Sequence, residues 1–176
     1  MKKTVLTFGL ISGAILSAWM LATVPFLEEV GDWGAVLGYT SMVLAFLLIF
    51  FGVRSYRDNV AGGTVRFGRA LAVGTLIGAI ASLCYVATWE VVYFKFMPDF
   101  PAKYQAHVLD KARANGETGE AIAKRKADLD KWAEMYKNPA INIAMTFAEP
   151  FPVALIIALV SAGVLSRRKK GAMANV

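Results

Sequence analysis

YRDNVAGGTVRFGRALAVGTLIGAIASLCYVATWEVVYFKFMPDF, residues 56–100, decides how the rest of the chain is read. It opens on arginines around a glycine pair and runs without a charge from Ala70 to Thr88. It closes on Trp89, Glu90, Tyr93, Phe94 and Phe96, then on Pro98. An apolar run with basic residues at one end and aromatic and acidic ones at the other has the pattern of a helix crossing a bilayer. About 30 helical residues from Phe67 to Phe96 would measure roughly 45 Å, more than the ~30 Å of hydrocarbon. If Arg69 marks the inner boundary, the helix leaves the membrane near Trp89 and Glu90, and its end projects beyond.

Three further blocks are long enough to cross: Thr4 to Phe26, Ala35 to Val53 and Ile141 to Leu165. Apolar residues make up 57% of the chain and charged ones 18%, with a mean hydropathy of +0.50, which sets it apart from soluble domains. The blocks lack the alternation of barrel strands, and hydrocarbon admits only helices or closed barrels. The expected fold is therefore an all-α membrane protein. It has four transmembrane helices and an extramembrane helical insertion, residues 97–138, between the third and fourth, all in one domain over 1–176.

Lys2 and Lys3 before an apolar run resemble a signal peptide, but the run is long and no small-x-small site follows, so it is expected to remain as the first span. Glu28, Glu29 and Asp32 then form a short connection without Lys or Arg, edged by Trp33 and Tyr39. The next connection carries Arg54, Arg57, Arg66 and Arg69. Gly62 and Gly63 supply its turn, and Thr64 is placed to cap the third helix. Pro98 and Pro101 are expected to break the chain after that helix. Two short helices follow, Gln105–Asn115, stopped at Gly116, and Glu120–Tyr136. On the second, Ile122, Leu129, Trp132, Ala133 and Tyr136 share a face, while Lys124, Asp128, Lys131 and Glu134 lie elsewhere. Such a helix packs on its own bundle, lies on the membrane surface or meets a protein partner. Asn138-Pro139 starts the last helix, a capping side chain before a proline that needs no N–H.

The net charge of +6 would suit nucleic acid, but the basic residues sit beside the spans. They point instead to topology signals and lipid head groups, with Arg54, Arg57, Arg66, Arg69, Arg167 and Arg168 as the contacts and no nucleic-acid partner. Four spans put both termini on one side. The ten basic residues of that side are dense beside the membrane, whereas the nine opposite, Lys95 and eight in the insertion, are spread out. Both termini are expected in the cytoplasm.

Gly9-Leu-Ile-Ser-Gly13-Ala-Ile-Leu-Ser17 in the first span matches Gly74-Thr-Leu-Ile-Gly78-Ala-Ile-Ala-Ser82 in the third. The match is compatible with duplication of a two-helix hairpin, and equally with chance among apolar helices that share few residue types. Small residues four apart let backbones approach. The Gly9/Gly13/Ser17 face is expected to meet the Gly74/Gly78/Ser82 face inside the monomer, with a homo-oligomer through one of them as the alternative.

Glu90 and Glu149 are the acids inside the apolar blocks, and intramembrane acids are candidate functional groups. Glu90 fits the outer boundary beside Trp89 and Tyr93. Glu149 precedes Pro150 and Pro152. It either faces a polar pocket at a broken helix, or stands at the N-terminus of a span that begins at Pro150. His107, the single histidine, would complete a polar site with them only by folding over the bundle mouth. Cys84, the single cysteine, forms no intrachain disulfide and no zinc site. No nucleophile triad, phosphate loop or dinucleotide fingerprint is present, so neither catalysis nor a cofactor is expected.

Tyr56-Arg57-Asp58, Gly62-Gly63, Phe67-Gly68-Arg69-Ala70, the glycine-bearing third span and Pro98-Asp99-Phe100 carry a resemblance over nearly the whole chain. The sequence resembles the bacterial small membrane proteins of the domain-of-unknown-function family numbered 4199. The resemblance implies a four-span bacterial membrane protein, expected in the cytoplasmic membrane, and carries over no activity, ligand or catalytic residue. The residues themselves leave three readings: a non-enzymatic structural or partner-binding membrane component, a small oligomeric transport or ion-conducting module with Glu149, alone or with Glu90, lining a polar path, or a lipid-binding protein or membrane enzyme.

Overall fold

The computed structural model describes residues 1–26 and 33–166, which form helices and turns with no strand among them. The order is α1 (Lys2–Thr23), a 3₁₀ turn (Val24–Phe26), α2 (Trp33–Asn59), α3 (Phe67–Val91), a π-helical turn (Val92–Phe96), α4 (Phe100–Ala114), α5 (Gly119–Tyr136), α6 (Pro139–Ala148) and α7 (Pro150–Leu165). Four stretches are long and apolar enough to cross a membrane: Lys2–Thr23, Trp33–Asn59, Phe67–Phe96 and Pro139–Leu165. The chain is a multi-pass membrane protein. The acidic connection at Glu28, Glu29 and Asp32, and the tail with Arg167 and Arg168, lie outside the described residues.

The chain divides into two compact units, Met1–Tyr85 with Phe147–Val176, and Val86–Thr146. In the first, α2 packs on both α1 and α7. Its Phe46, Ile49 and Val53 are fully buried, together with Ala70, Val73, Ile77 and Ala81 of α3. α7 contributes Ala154, Ala158 and Ala162, a buried row of alanines four apart. Lipid is as apolar as these side chains, so close backbone approach and dispersion hold the helices together rather than the hydrophobic effect. Ser12 Oγ donates to the Ala45 carbonyl at 2.9 Å, joining α1 to α2 where no water can compete.

Glycines set the spacing. A Cβ on Gly78 would lie 2.7 Å from Ala154 Cβ, and one on Gly74 2.9 Å from Ala158 Cβ. A Cβ on Gly13 would lie 2.6 Å from Cys84 Cβ, and one on Gly9 2.9 Å from Ile80 Cβ. The two glycine faces therefore do not meet each other, against the expectation. Gly9 and Gly13 receive α3 through Ile80 and Cys84, while Gly74 and Gly78 receive α7. The physical reason is that α7 offers alanine at the matching four-residue spacing, Ala154 against Gly78 and Ala158 against Gly74, while α1 packs as closely on a different face of α3. Ser17 Oγ reaches the Cys84 carbonyl at 3.5 Å, long for a hydrogen bond.

In the arginine turn Gly62 and Gly63 take φ of +69° and +87°, where a Cβ would be strained. Thr64 does not cap α3: the helix starts at Phe67, and its first carbonyl acceptor is Arg66, bonded by Ala70 N–H at 3.0 Å. Arg57 Nε donates to Asp58 Oδ1 at 2.6 Å, and Arg54 lies 3.7 Å from the same carboxylate. Arg66 and Arg69 are exposed.

Exchanging the partners of the α3–α7 seam tests its geometry. Gly78→Ala should lower unfolding stability in detergent by about 1–3 kcal/mol through overpacking. Adding Ala154→Gly should recover most of it, since the same methyl is moved across the contact. Gly38→Ala, where nothing lies within 4 Å of the added carbon, should be neutral or mildly stabilising.

Candidate functional site

The second unit holds the extramembrane hairpin. Pro101 does not break it, as the sequence suggested, but lies in the first turn of α4, where a missing N–H costs nothing. The long helix ends one step earlier: Met97 leaves helical geometry at φ −136°, followed by Pro98. α4 therefore begins at Phe100, five residues before Gln105. It stops in a Schellman turn in which Glu117 N–H bonds the Ala112 carbonyl at 3.1 Å and Gly116 takes φ +73°. Thr118 Oγ1 accepts from Ala121 N–H at 3.3 Å and caps α5. Asn138 Oδ1 accepts from Ala140 N–H at 3.0 Å and starts α6 as expected.

Six aromatic rings close a circuit through this unit. Trp89 meets Phe100 at 5.1 Å, Phe100 meets Tyr104 at 6.0 Å, and Tyr104 meets Trp132 at 5.5 Å. Trp132 stacks on Tyr136 at 4.7 Å, Tyr136 meets Tyr93 edge-on at 5.2 Å, and Tyr93 returns to Trp89 at 6.1 Å. Polar atoms lock the circuit. Trp89 Nε1 donates to Tyr136 Oη at 2.7 Å, and that hydroxyl lies 3.3 Å from Thr146 Oγ1. Thr146 donates to Asn142 Oδ1 at 3.1 Å, and Asn142 Nδ2 donates to the Tyr136 carbonyl at 3.2 Å. Asn142 is fully buried, so these bonds satisfy a side chain that would otherwise oppose folding.

Between α4 and α5 lies a groove of about 690 Å³, within the usual size of ligand pockets. α4 lines it with Phe100, Tyr104 and Val108, four residues apart and so on one face. α5 lines it with Leu129 and Trp132, and with Lys124 and Asp128 one turn apart. The charged and apolar positions that the sequence separated thus border one groove. Arg125 also borders it but is held in a bidentate pair with Glu117, its Nη2 2.8 Å from Oε1. Lys124 and Asp128 form no ion pair among the described residues, which leaves one charge of each sign open beside an aromatic wall. Gln105 Nε2 donates to Asp130 Oδ1 at 2.6 Å and ties the two helices, while Lys126 reaches Oδ2 at 2.8 Å. Lys126 and then Gln105 hold the Asp130 carboxyl below its ordinary range.

The sequence-derived candidates are placed separately. His107 is exposed on α4 and does not line the groove. Glu90 is half-buried, with Oε1 sequestered and without a hydrogen bond. Glu149, in the first unit, marks the junction of α6 and α7, and its Oε2 accepts from Tyr85 Oη at 3.3 Å. Glu149 is exposed and holds the N-cap position of α7, which begins at Pro150, while the ten residues of α6 precede it within the same apolar stretch. Among the described residues no three His, Cys, Asp or Glu side chains gather as a metal site. The aromatic rings were visible in the sequence only as boundary residues, because a circuit spanning Trp89 to Tyr136 has no local period.

Tyr136→Phe should cost about 1 kcal/mol of stability by stranding the Trp89 N–H. Combined with Trp89→Phe, the loss should fall short of the sum, as a double-mutant cycle of thermal unfolding would measure. Asp130 has a lowered native pKa, so its contribution is present above the ordinary carboxylate value, about 3.9, and disappears as pH falls through the native one. The melting difference between the native protein and Asp130→Asn should therefore shrink in acid.

Comparison with curated proteins finds no match, and comparison with solved structures finds none. Residues 7–167 match the profile described as a protein of unknown function, DUF4199, and the chain belongs to that family.

Proposed function

We propose that this protein is a non-enzymatic binding component of the bacterial cytoplasmic membrane. The four-span bundle anchors the α4–α5 hairpin, and the hairpin recruits an amphipathic segment of another protein. The observation that carries this reading is the groove between α4 and α5. An aromatic floor with one open cation and one open anion a turn apart suits a polypeptide of mixed charge. A polyanion such as nucleic acid would meet Asp128 and a groove whose other acid, Glu117, already holds Arg125.

Arg54, Arg57, Arg66, Arg69, Arg167 and Arg168 support cytoplasmic termini and contacts with anionic head groups. With that orientation the hairpin stands on the external face and its partner is a periplasmic or membrane protein.

A photocrosslinking amino acid at Ala121, on the groove wall, should give one discrete protein adduct in intact cells. The same group at His107, off the groove, should not. Adding Lys124→Glu with Asp128→Lys, which reverses the charge order, should abolish the Ala121 adduct. Equal labelling from both positions, or lipid adducts alone, would contradict partner binding in the groove.

A further inference from the structure

The α3–α7 seam ends beside a contact between a phenol and a carboxylate. Gly74 on Ala158 and Gly78 on Ala154 fix an antiparallel register, in which α3 advances four residues as α7 retreats four. One turn further, the same register brings Ser82 level with Pro150. Beyond it Tyr85 meets Glu149, with Tyr85 Oη donating to Oε2 at 3.3 Å. Ser82 lies on the Gly74/Gly78 face, is fully buried, and its Oγ has no hydrogen-bond partner. A buried hydroxyl left without a bond is uncommon and points to a missing ligand. Pro150 and Pro152 bring no N–H to this place, and Pro152 leaves the Ala148 carbonyl without its helical donor. The donors on hand are all oxygen.

Depth turns this into a charge problem. Sixteen residues separate Glu149 from Leu165, and sixteen separate Tyr85 from Arg69. Both counts give about 24 Å along a helix, still within the ~30 Å of hydrocarbon. No Lys, Arg or His pairs with Glu149 among the described residues. Glu149 is exposed on the surface of its unit. By this count it lies about 6 Å inside the far boundary, where a carboxylate without a counter-charge is still partly desolvated. Acids within spans are generally paired. One positive charge balances it, whereas a divalent ion would leave an excess. Carboxylate, phenol and hydroxyl oxygens are hard ligands, which select alkali ions over soft transition metals. Helix breaks that free a carbonyl are a recurrent place for such ions.

We propose that Ser82, Tyr85 and Glu149 form a site for one hard monovalent cation, with Na⁺ and the proton competing for the Glu149 carboxylate. The site is independent of the hairpin groove.

Dicyclohexylcarbodiimide, an apolar reagent that modifies protonated carboxyls, reads its occupancy in the purified full-length protein, with the modified peptide found by mass spectrometry. Modification of Glu149 should slow several-fold when choline is replaced by Na⁺ at constant ionic strength, and the protection should fade as pH is lowered. Ser82→Ala and Tyr85→Phe should each remain modifiable but lose most of the Na⁺ protection. The native protein should also melt at higher temperature in Na⁺ than in choline, a readout that needs no variant. Equal modification in Na⁺ and choline at every pH would overturn the proposal, as would no modification at any pH. Full Na⁺ protection in the Ser82→Ala and Tyr85→Phe proteins would overturn the assignment to these residues.

Discussion

Close approach of backbones is the constraint on which the membrane part of this protein depends. Inside a bilayer an apolar side chain gains nothing by leaving lipid for another helix, so contact has to come from surfaces that fit closely. Gly74 and Gly78 opposite Ala158 and Ala154 provide that fit, with no room for an added methyl at either glycine. The consequences spread from the seam. It sets the register of α3 against α7, holds Ile49 of α2 against both glycines, and delivers Tyr85 to Glu149. Gly9 and Gly13 do the same for α1 against a different face of α3. The bundle combines close contacts at a few small residues with the fully buried Phe46, Ile49, Val53 and Ile77.

The second unit is governed by a different balance. Its α4–α5 hairpin carries mostly charged surface, and few side chains of those two helices are buried: Leu109, Ala112 and Tyr136. Aromatic contacts and the Trp89–Tyr136–Thr146–Asn142 hydrogen bonds replace a large apolar core. A hairpin held this way keeps its α4–α5 groove open, because the rings that would otherwise fill it are engaged with one another along one end. Stability and a binding surface thus come from the same residues, Phe100, Tyr104 and Trp132, each of which borders both the circuit and the groove.

Much of the fold was legible because its determinants are local. Span lengths follow from apolar runs, the Phe67–Phe96 stretch from its arginine and aromatic ends, the start of α6 from Asn138-Pro139, and the end of α4 from Gly116. Pro101 misled because proline tolerates a first helical turn as readily as it ends a helix, and only the geometry at Met97 decides between them. The partners of the glycine faces were illegible for a related reason. Spacing shows that a helix has a close-packing face, but the neighbour is chosen by which other helix presents small residues in register. α7 does so with Ala154 and Ala158, a pattern that reads as featureless within an apolar run. Glu149 was recognisable as unusual, yet its phenol partner comes from 64 positions away. The groove had no sequence signature at all beyond an amphipathic α5.

Function on this view is divided between a chemically spare bundle and a hairpin shaped to hold something, and the binding assignment requires that the hairpin lie outside the membrane between the third and fourth spans. Cysteine accessibility tests that arrangement most directly. In a Cys84→Ser background, Val60→Cys and His107→Cys flank the third span on its two sides. With an impermeant maleimide on intact cells, His107→Cys should react at once and Val60→Cys only after the membrane is opened. Reaction of both from the same side, or protection of His107→Cys even after lysis, would contradict the four-span arrangement.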